Sequence, residues 1–191
     1  MVPPAYRFER IEALKTGADF ALKIGVKDVV THVGFIPENP VDPEYLGVVN
    51  AVRYVAEHCK RNGQYFLFET GQETPVTLKR IIQDVGLDNL GINLDPANLL
   101  LYGRANPVDA LDVFGEYVRG VHAKDGQYPT DGRNLGEEKP LGQGRVNFPL
   151  LIERLKQLSY KGAITIEREI SGEQQIKDIQ DAKEMLEKLI L

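Results

Sequence analysis

The sequence predicts a single α/β domain over residues 1–191, of the TIM-barrel type, with five parallel strands in an incomplete (β/α) barrel. Helical and extended segments alternate along the chain, which is typical of a parallel sheet. Each extended segment has one apolar face and one face of small or polar residues, as strands do when helices cover only the outside of a barrel. A doubly wound sheet carries helices on both faces and fits this alternation less well.

The chain begins with a helix and then alternates between strands and helices. Helices are predicted from apolar residues at steps of three and four, and strands from short β-branched or aromatic runs. In order, the predicted elements are helix 8–22, strand 27–34, helix 44–59, strand 64–69, helix 75–85, strand 89–95, helix 107–118, strand 119–125, helix 147–158, strand 162–169 and helix 176–189.

Capping residues support the helix boundaries. Thr74 and Asn106 each precede a proline, so that a cap residue and a first-turn proline begin the helix together. Asn147 is a cap of the same kind for the next helix. Gly25 and Gly86 follow the last apolar residue of their helices, where a left-handed residue often ends the helix.

The number of strands predicts that part of a barrel is missing. A complete (β/α)₈ barrel has eight strands in about 250 residues, whereas this sequence predicts five strands and starts with a helix. We therefore expect the chain to correspond to the C-terminal part of a barrel, lacking the first three βα units. Its first and last strands would then be unpaired edges, which favour association, for example as a homo-oligomer.

Composition excludes several functional classes. The net charge is −5, and the 23 Lys and Arg residues are scattered among 28 acidic ones, so we expect no nucleic-acid partner. No apolar run of about 18 residues and no signal-peptide pattern are present, so we expect a cytoplasmic protein with no membrane partner. The single cysteine, Cys59, falls on a helical pattern and is expected to be a packed or half-exposed thiol.

Four predicted strands end on side chains that commonly bind metals. These are Glu69, Asp95, His122 and Glu167, separated by 26, 27 and 45 residues, which are lengths that fit one strand, one helix and their loops. Because the carboxyl ends of parallel strands meet at one rim of a barrel, the four side chains should gather there. One imidazole and three carboxylates suit Mn²⁺ or Mg²⁺. Taken singly, a carboxylate at a strand end can instead cap the next helix, and Glu169 is a rival ligand on the same face as Glu167.

Five segments together resemble the sugar phosphate isomerase/epimerase family, the xylose-isomerase-like TIM barrels. The resemblance covers nearly the whole chain, and the order and spacing of the segments are more specific for the superfamily than for any substrate. The segments are Val-Thr-His-Val-Gly-Phe-Ile-Pro at residues 30–37, Phe-Glu-Thr-Gly-Gln-Glu at 68–73, Asn-Leu-Asp-Pro-Ala-Asn at 93–98, Val-His-Ala-Lys-Asp at 121–125 and Ile-Thr-Ile-Glu-Arg-Glu at 164–169.

The resemblance implies a metal-dependent isomerase or epimerase that acts on a sugar or sugar phosphate through an enediolate. By similarity, Glu69, Asp95, His122 and Glu167 would bind one divalent metal, usually Mn²⁺, with Co²⁺, Mg²⁺ or Zn²⁺ as alternatives. Glu69 and Glu167 would also be the catalytic acid/base pair. Many epimerases of the family carry histidine three residues after the aspartate, where this chain has Asn98. That departure affects a substrate contact.

Five residues are candidates for substrate binding: His32, Asn98, Lys124, Arg133 and Arg145. His32 ends a strand and would either contact substrate or pack in the core. Lys124 lies on the inward face, where it could orient sugar oxygens or form an ion pair with Asp125 at the rim. Arg133 and Arg145 lie in a long loop, about residues 126–146, which is typical of a lid or binding element. Residues 142–145 within it resemble either an anion cradle or an ordinary glycine turn.

Two other functions fit parts of the sequence. The endonuclease IV branch of the same superfamily cuts abasic DNA, but its three-zinc site is built from many histidines and this chain has three in total. An incomplete barrel that is inactive until a partner or a missing N-terminal segment closes it would explain the five-strand pattern equally well.

Overall fold

The computed structural model describes residues 1–191 and contains a five-stranded sheet in the order β1-β2-β3-β4-β7. The strands are β1 (Asp28–Thr31), β2 (Tyr65–Glu69), β3 (Leu90–Leu94), β4 (Val118–Ala123), β5 (Asp125–Gly126), β6 (Glu138–Lys139) and β7 (Ile164–Ile166). The helices are α1 (Pro4–Lys23), α2 (Pro43–Arg61), α3 (Pro75–Val85), α4 (Pro96–Leu101), α5 (Pro107–Phe114), α6 (Phe148–Gln157) and α7 (Glu173–Ile190).

All four neighbouring pairs in the large sheet are parallel, and the five strands form a half-barrel. This confirms the predicted α/β class and the incomplete barrel with five parallel strands. Strands β1 and β7 each have only one neighbour, so both edges of the arc are unpaired. None of the helices is both long enough and apolar enough to span a membrane.

The two faces of the sheet differ as the alternation predicts. The outward side chains of the central strands are fully buried against the helices, and they include Phe66, Phe68, Ile92, Leu94 and Val121. The inward face carries the polar residues, since a strand directs alternate side chains to opposite sides. The core therefore lies between the sheet and the helices, and the concave face remains for chemistry.

The predicted caps are present. Thr74 and Asn147 each accept a hydrogen bond from the backbone N–H of the third residue of the helix that follows, and Asn106 accepts from the second and third residues of α5. Gly86 ends α3 with φ of 69°, a left-handed conformation that glycine adopts without strain.

Two local predictions are wrong. Val118 was predicted to end a helix, but α5 stops at Phe114 and Val118 begins β4, because a 3₁₀ turn at Gly115–Tyr117 redirects the chain. The sequence analysis also missed α4, a short helix that Asp95 caps. A cap-proline pair begins this helix too, but here the cap residue is the proposed ligand itself.

The long loop, residues 126–146, is held in place by Asp125, which is 1% exposed. Its two carboxylate oxygens accept hydrogen bonds from the backbone N–H groups of Gly126, Gly142, Gly144 and Val146 at 2.8–3.0 Å. The short β5–β6 ladder closes the other part of the loop. The glycine segment at residues 142–145 therefore cradles a carboxylate of the protein itself, and the ion pair predicted between Lys124 and Asp125 does not form.

The helices at the two ends of the arc expose apolar side chains. On α1, Phe8 is 77% and Phe20 is 63% exposed, and on α7 Ile176 is 59% exposed. Phe8 and Ile176 belong to the apolar periodicity that predicts these helices and were expected to face the core. Neither does, because α1 packs mainly on α2, and α7 mainly on β7 and α6.

Candidate metal centre

The structure brings Glu69, Asp95, His122 and Glu167 together at the carboxyl ends of four adjacent strands. Glu69 ends β2, Asp95 follows β3, His122 lies in β4 and Glu167 follows β7. One ligand atom from each residue lies within 4.8 Å of the corresponding atoms of the others. Since oxygen ligands bind divalent ions at about 2.0–2.6 Å, four atoms with this spread can surround a single ion.

Each of the three carboxylates has one oxygen held by a donor of the protein. The Asn93 side-chain amide donates to Glu69 Oε2 at 2.6 Å, and the Asn98 backbone N–H donates to Asp95 Oδ1 at 2.9 Å. The Lys124 ammonium donates to Glu167 Oε1 at 3.0 Å. Donors of this kind orient the ligands of a metal site. In each case the second oxygen is left free.

The three free oxygens point at the same nitrogen. His122 Nδ1 lies 2.5 Å from Glu167 Oε2, 3.0 Å from Glu69 Oε1 and 3.9 Å from Asp95 Oδ2. None of these approaches has the geometry of a hydrogen bond, so Asp95 Oδ2 and His122 Nδ1 are buried polar atoms without a partner. Unpaired buried polar atoms are costly, and the convergence of these two with carboxylate oxygens of Glu69 and Glu167 fits a bound cation.

Protonation of the site agrees with this fit. Burial raises the pKa of Asp95 to about 7, against the lowering effect of Lys124. Burial alone would lower the pKa of His122, but the Glu69 and Glu167 carboxylates more than offset it and the pKa is raised. The raised pKa of His122 reflects the negative charge gathered around its ring, a condition that a divalent ion at the centre would relieve.

Thr70 fixes the backbone on which Asp95 sits. Its buried hydroxyl donates to the Asp95 carbonyl oxygen at 2.7 Å and accepts from the Asp95 backbone N–H at 2.8 Å. One side chain thereby joins the loop after β2 to the loop after β3. The first of these loops follows Glu69, and the second contains Asp95. The Thr70 contact therefore sets the separation between Glu69 and Asp95.

Asn93 is a supporting residue that the sequence analysis did not identify as functional. It reaches Glu69 because Gly120, its neighbour on β4, has no side chain: a Cβ on Gly120 would lie 2.3 Å from Asn93 Oδ1. The register between β3 and β4 shifts at Ile92/Asn93, and this shift sets Gly120 opposite Asn93. A glycine inside a predicted strand was the available signal, since it often marks a bulge or a close approach.

We expect Gly120→Ala to weaken metal binding by about 10-fold or more, the effect typical of losing an outer-shell partner. The added methyl would push the Asn93 amide away from Glu69 Oε2, and the carboxylate would lose its fixed orientation. Isothermal titration with Mn²⁺ measures this. Gly132→Ala, at a position where an added Cβ meets no atom within 4 Å, is the control. Equal affinities for the two variants would show that Asn93 does not position Glu69.

A sequence profile places this geometry in a family. The profile described as "Xylose isomerase-like TIM barrel" matches residues 2–189. The chain belongs to this family.

Members of the family with related structures include a "Xylose isomerase domain protein" from Planctomyces limnophilus. It is 39% identical with a TM-score of 0.94, over 98% of this chain and 68% of that one. Two structures of lower sequence identity share the fold. A xylose isomerase-like protein from Mycobacterium smegmatis in complex with magnesium is 20% identical with a TM-score of 0.74, over 99% of this chain and 69% of that one. A D-allulose 3-epimerase from Methylomonas sp. is 17% identical with a TM-score of 0.71, over 99% of this chain and 72% of that one.

Among curated proteins, "Uncharacterized protein MJ1311" of Methanocaldococcus jannaschii is 27% identical over 191 residues. The match covers 94% of this chain and 62% of that protein. The chain thus spans less than two thirds of the length of this relative.

Two of the substrate-binding candidates lie beside the four clustered residues. Asn98 is 7% exposed, and its Oδ1 lies 3.5 Å from Lys124 Nζ. Lys124 is 2% exposed and also contacts Glu167 and Glu169. His32 follows β1 and is exposed, so it does not pack in the core.

The other two substrate-binding candidates lie further along the chain. Arg133 and Arg145 are exposed in the long loop, and neither guanidinium forms a hydrogen bond or ion pair. Glu169, the rival ligand, lies outside the cluster and pairs with Lys124 at 2.9 Å. Cys59 is fully buried, and burial raises its pKa to about 11, so the packed thiol predicted from the sequence is confirmed.

Proposed function

We propose that the protein is a metal-dependent sugar or sugar-phosphate isomerase or epimerase that works by proton transfer through an enediolate. The main observation behind this proposal is that three carboxylate oxygens converge on His122 Nδ1, with Asp95 Oδ2 buried and without a hydrogen bond. A bound cation would stabilise this arrangement. Membership of the family and its structural likeness to a D-allulose 3-epimerase favour a sugar as the substrate.

The proposed cofactor is one divalent ion held by Glu69, Asp95, His122 and Glu167, with Mn²⁺ as the first choice. Carboxylate oxygens dominate the set and no thiolate is near, which favours hard ions over a thiolate-type zinc site. Co²⁺, Mg²⁺ and Zn²⁺ remain alternatives. When bound, the ion supplies Lewis-acid polarisation of a carbonyl and the adjacent hydroxyl of the sugar.

Glu69 and Glu167 are the proposed proton carriers. Glu69 ends β2 and Glu167 follows β7, with β3 and β4 between them, so they approach a substrate from two sides of the arc. One carboxylate takes a proton from the carbon next to the carbonyl, leaving the enediolate. The other returns a proton to the opposite face of that carbon, which is epimerisation, or to the neighbouring carbon, which is isomerisation. No net proton is consumed in either case.

The proposed substrate contacts are His32, Asn98, Arg133 and Arg145. Asn98 follows Asp95 on α4 and is buried beside the clustered residues, so its amide is placed to contact a sugar hydroxyl. His32 is exposed at the carboxyl end of β1. The two arginines have unpaired guanidinium groups in the long loop, and they would bind the phosphate of a phosphorylated sugar.

Exchange of solvent deuterium into a carbon-bound position of a ketose is the direct test. With Mn²⁺ present, we expect incorporation detectable by NMR for at least one ketose in a broad panel, and complete loss after EDTA treatment. Recovery on adding Mn²⁺ back is the control that EDTA has not unfolded the protein. Metal binding without exchange across the panel would contradict the proposal.

A second candidate is a half-barrel that depends on a partner. It is favoured by the unpaired edges of β1 and β7 and by the apolar side chains that α1 and α7 expose. Three further βα units would close such a barrel, and pairing of copies through the same edges would make a homo-oligomer. The exchange experiment separates the candidates, because deuterium incorporation by this chain alone, measured as a monomer, would show that no partner is required.

A further inference from the structure

Lys124 follows β4 on the concave face and is almost completely buried, at 2% exposure. Its Nζ lies 2.9 Å from Glu169 Oε1, 3.0 Å from Glu167 Oε1, 3.5 Å from Asn98 Oδ1 and 3.6 Å from Asp95 Oδ2. An ammonium group has three N–H donors and no acceptor. The three nearest oxygens, those of Glu169, Glu167 and Asn98, can take all three donors, so none is left for a sugar hydroxyl.

Lys124 is also the only lysine or arginine that forms an ion pair with the four clustered residues. Three ionised carboxylates around a divalent ion leave one negative charge, since the imidazole ligand is neutral. A buried uncompensated charge is unfavourable. The Lys124 ammonium offsets this charge inside the buried site, whereas its other carboxylate partner, Glu169, is 62% exposed and hydrated.

The contact with Glu167 also has a geometric effect. Lys124 holds Oε1 of this carboxylate while Oε2 faces His122 Nδ1 at 2.5 Å. Glu167 is the most exposed of the three carboxylates, at 29% for its side chain against 8% for Glu69 and 0% for Asp95. It therefore depends most on a specific contact to keep its orientation.

We propose that Lys124 is a positioning residue of the metal centre, which holds Glu167 in ligand geometry and balances the charge of the carboxylates without contacting the sugar. This inference rests on the proposed function and replaces the expectation that Lys124 orients sugar oxygens. Glu169 completes the arrangement from outside the cluster as the second carboxylate partner of Lys124.

Lys124→Met tests the inference because methionine fills similar space without charge or donors. We expect Mn²⁺ affinity, measured by isothermal titration, to fall by about 10- to 100-fold, as for other outer-shell partners. Under saturating Mn²⁺, kcat for the exchanging ketose should fall by at least about 10-fold, while KM changes less than about twofold. Lys60→Met, which removes an exposed lysine paired with Asp88, is the matched control and should leave both quantities unchanged.

Two outcomes overturn the inference. Unchanged or tighter Mn²⁺ binding in Lys124→Met would show that the lysine only repels the ion or has no role in the site. A raised KM with unchanged Mn²⁺ affinity would show that it binds the sugar. Failure of the wild-type protein to bind Mn²⁺ would instead contradict the proposed function, so the two failures are distinguishable.

A second variant and a measurement on the wild-type protein cover the case in which Lys124→Met does not fold. Lys124→Gln keeps N–H donors without the charge and should weaken Mn²⁺ binding less than Lys124→Met.

In the wild-type protein, acetic anhydride should modify the exposed Lys60 but leave Lys124 unmodified, with or without the ketose, as read by mass spectrometry. Acetylation of Lys124 that the ketose prevents would overturn the inference.

Discussion

Glu167→Gln is expected to reduce deuterium exchange into the ketose by about 10²- to 10⁴-fold, the usual contribution of a general acid or base. Glutamine keeps an acceptor for Lys124 and nearly the same shape, but it cannot take up a proton and brings no negative charge. Mn²⁺ binding should weaken at the same time because one anionic ligand is lost. Exchange is therefore measured at saturating Mn²⁺, so that the lost proton transfer is separated from lost metal.

Glu187→Gln is the control, since Glu187 lies exposed on α7 in a surface pair with Lys183. It should exchange at the wild-type rate, because surface pairs of this kind contribute little. If Glu167→Gln with bound Mn²⁺ also exchanged at that rate, Glu167 would not be a proton carrier, and the acid/base assignment would fail while the metal centre could stand.

Asp125→Ala is expected to destabilise the protein by on the order of 4 kcal/mol and to release the long loop. Four backbone N–H groups lose their acceptor, and a hydrogen bond to a charged group contributes about 1.5–3 kcal/mol, not fully additively. Urea unfolding measures the free energy. Limited proteolysis should show new cleavage within residues 126–146.

Asp131→Ala is the comparison, because Asp131 caps a turn in the same loop but is exposed. Its loss should cost less than about 1 kcal/mol. Asp125→Asn should fall between the two, since the amide keeps one acceptor oxygen but turns N–H groups toward backbone donors. An unchanged urea midpoint and an unchanged cleavage pattern for Asp125→Ala would mean that the loop is held by its other contacts.

The sequence predicted the clustering of Glu69, Asp95, His122 and Glu167 because it depends only on topology. Strands that run parallel end at one rim, and alternation decides which side chains face inward, so spacing and periodicity are enough to place the four groups. The helix caps at Thr74, Asn106 and Asn147 were predictable for a similar reason, since a cap acts within one turn of its own residue.

The supporting contacts were not predictable because they depend on how neighbouring segments meet. Asn93 reaches Glu69 only because the register shifts between β3 and β4, and a register shift has no local signature beyond Gly120. Asp125 is adjacent to Lys124 in sequence, yet its carboxylate turns to backbone donors that are up to 21 residues away. The charge of the neighbouring Lys124 favoured an ion pair with Asp125. Four backbone N–H groups bind the Asp125 carboxylate instead.

The α4 helix illustrates a different limit. A cap residue followed by proline usually announces a helix, and Asp95 followed by Pro96 has that pattern. Asp95 was interpreted as a metal ligand instead, whereas the structure gives its two oxygens separate tasks: Oδ1 caps α4 and Oδ2 remains free. One carboxylate can both cap a helix and be available to bind a metal, and the sequence does not show which oxygen has which role.

The arrangement of the donors on one arc bears on how such proteins diversify. All four come from β2, β3, β4 and β7, which are consecutive neighbours in the sheet, so none of them has to be supplied by the opposite wall of a barrel. Recombination can therefore exchange the opposite wall of a barrel without disturbing a single donor. The four clustered groups then form one genetic segment that can be inherited as a unit.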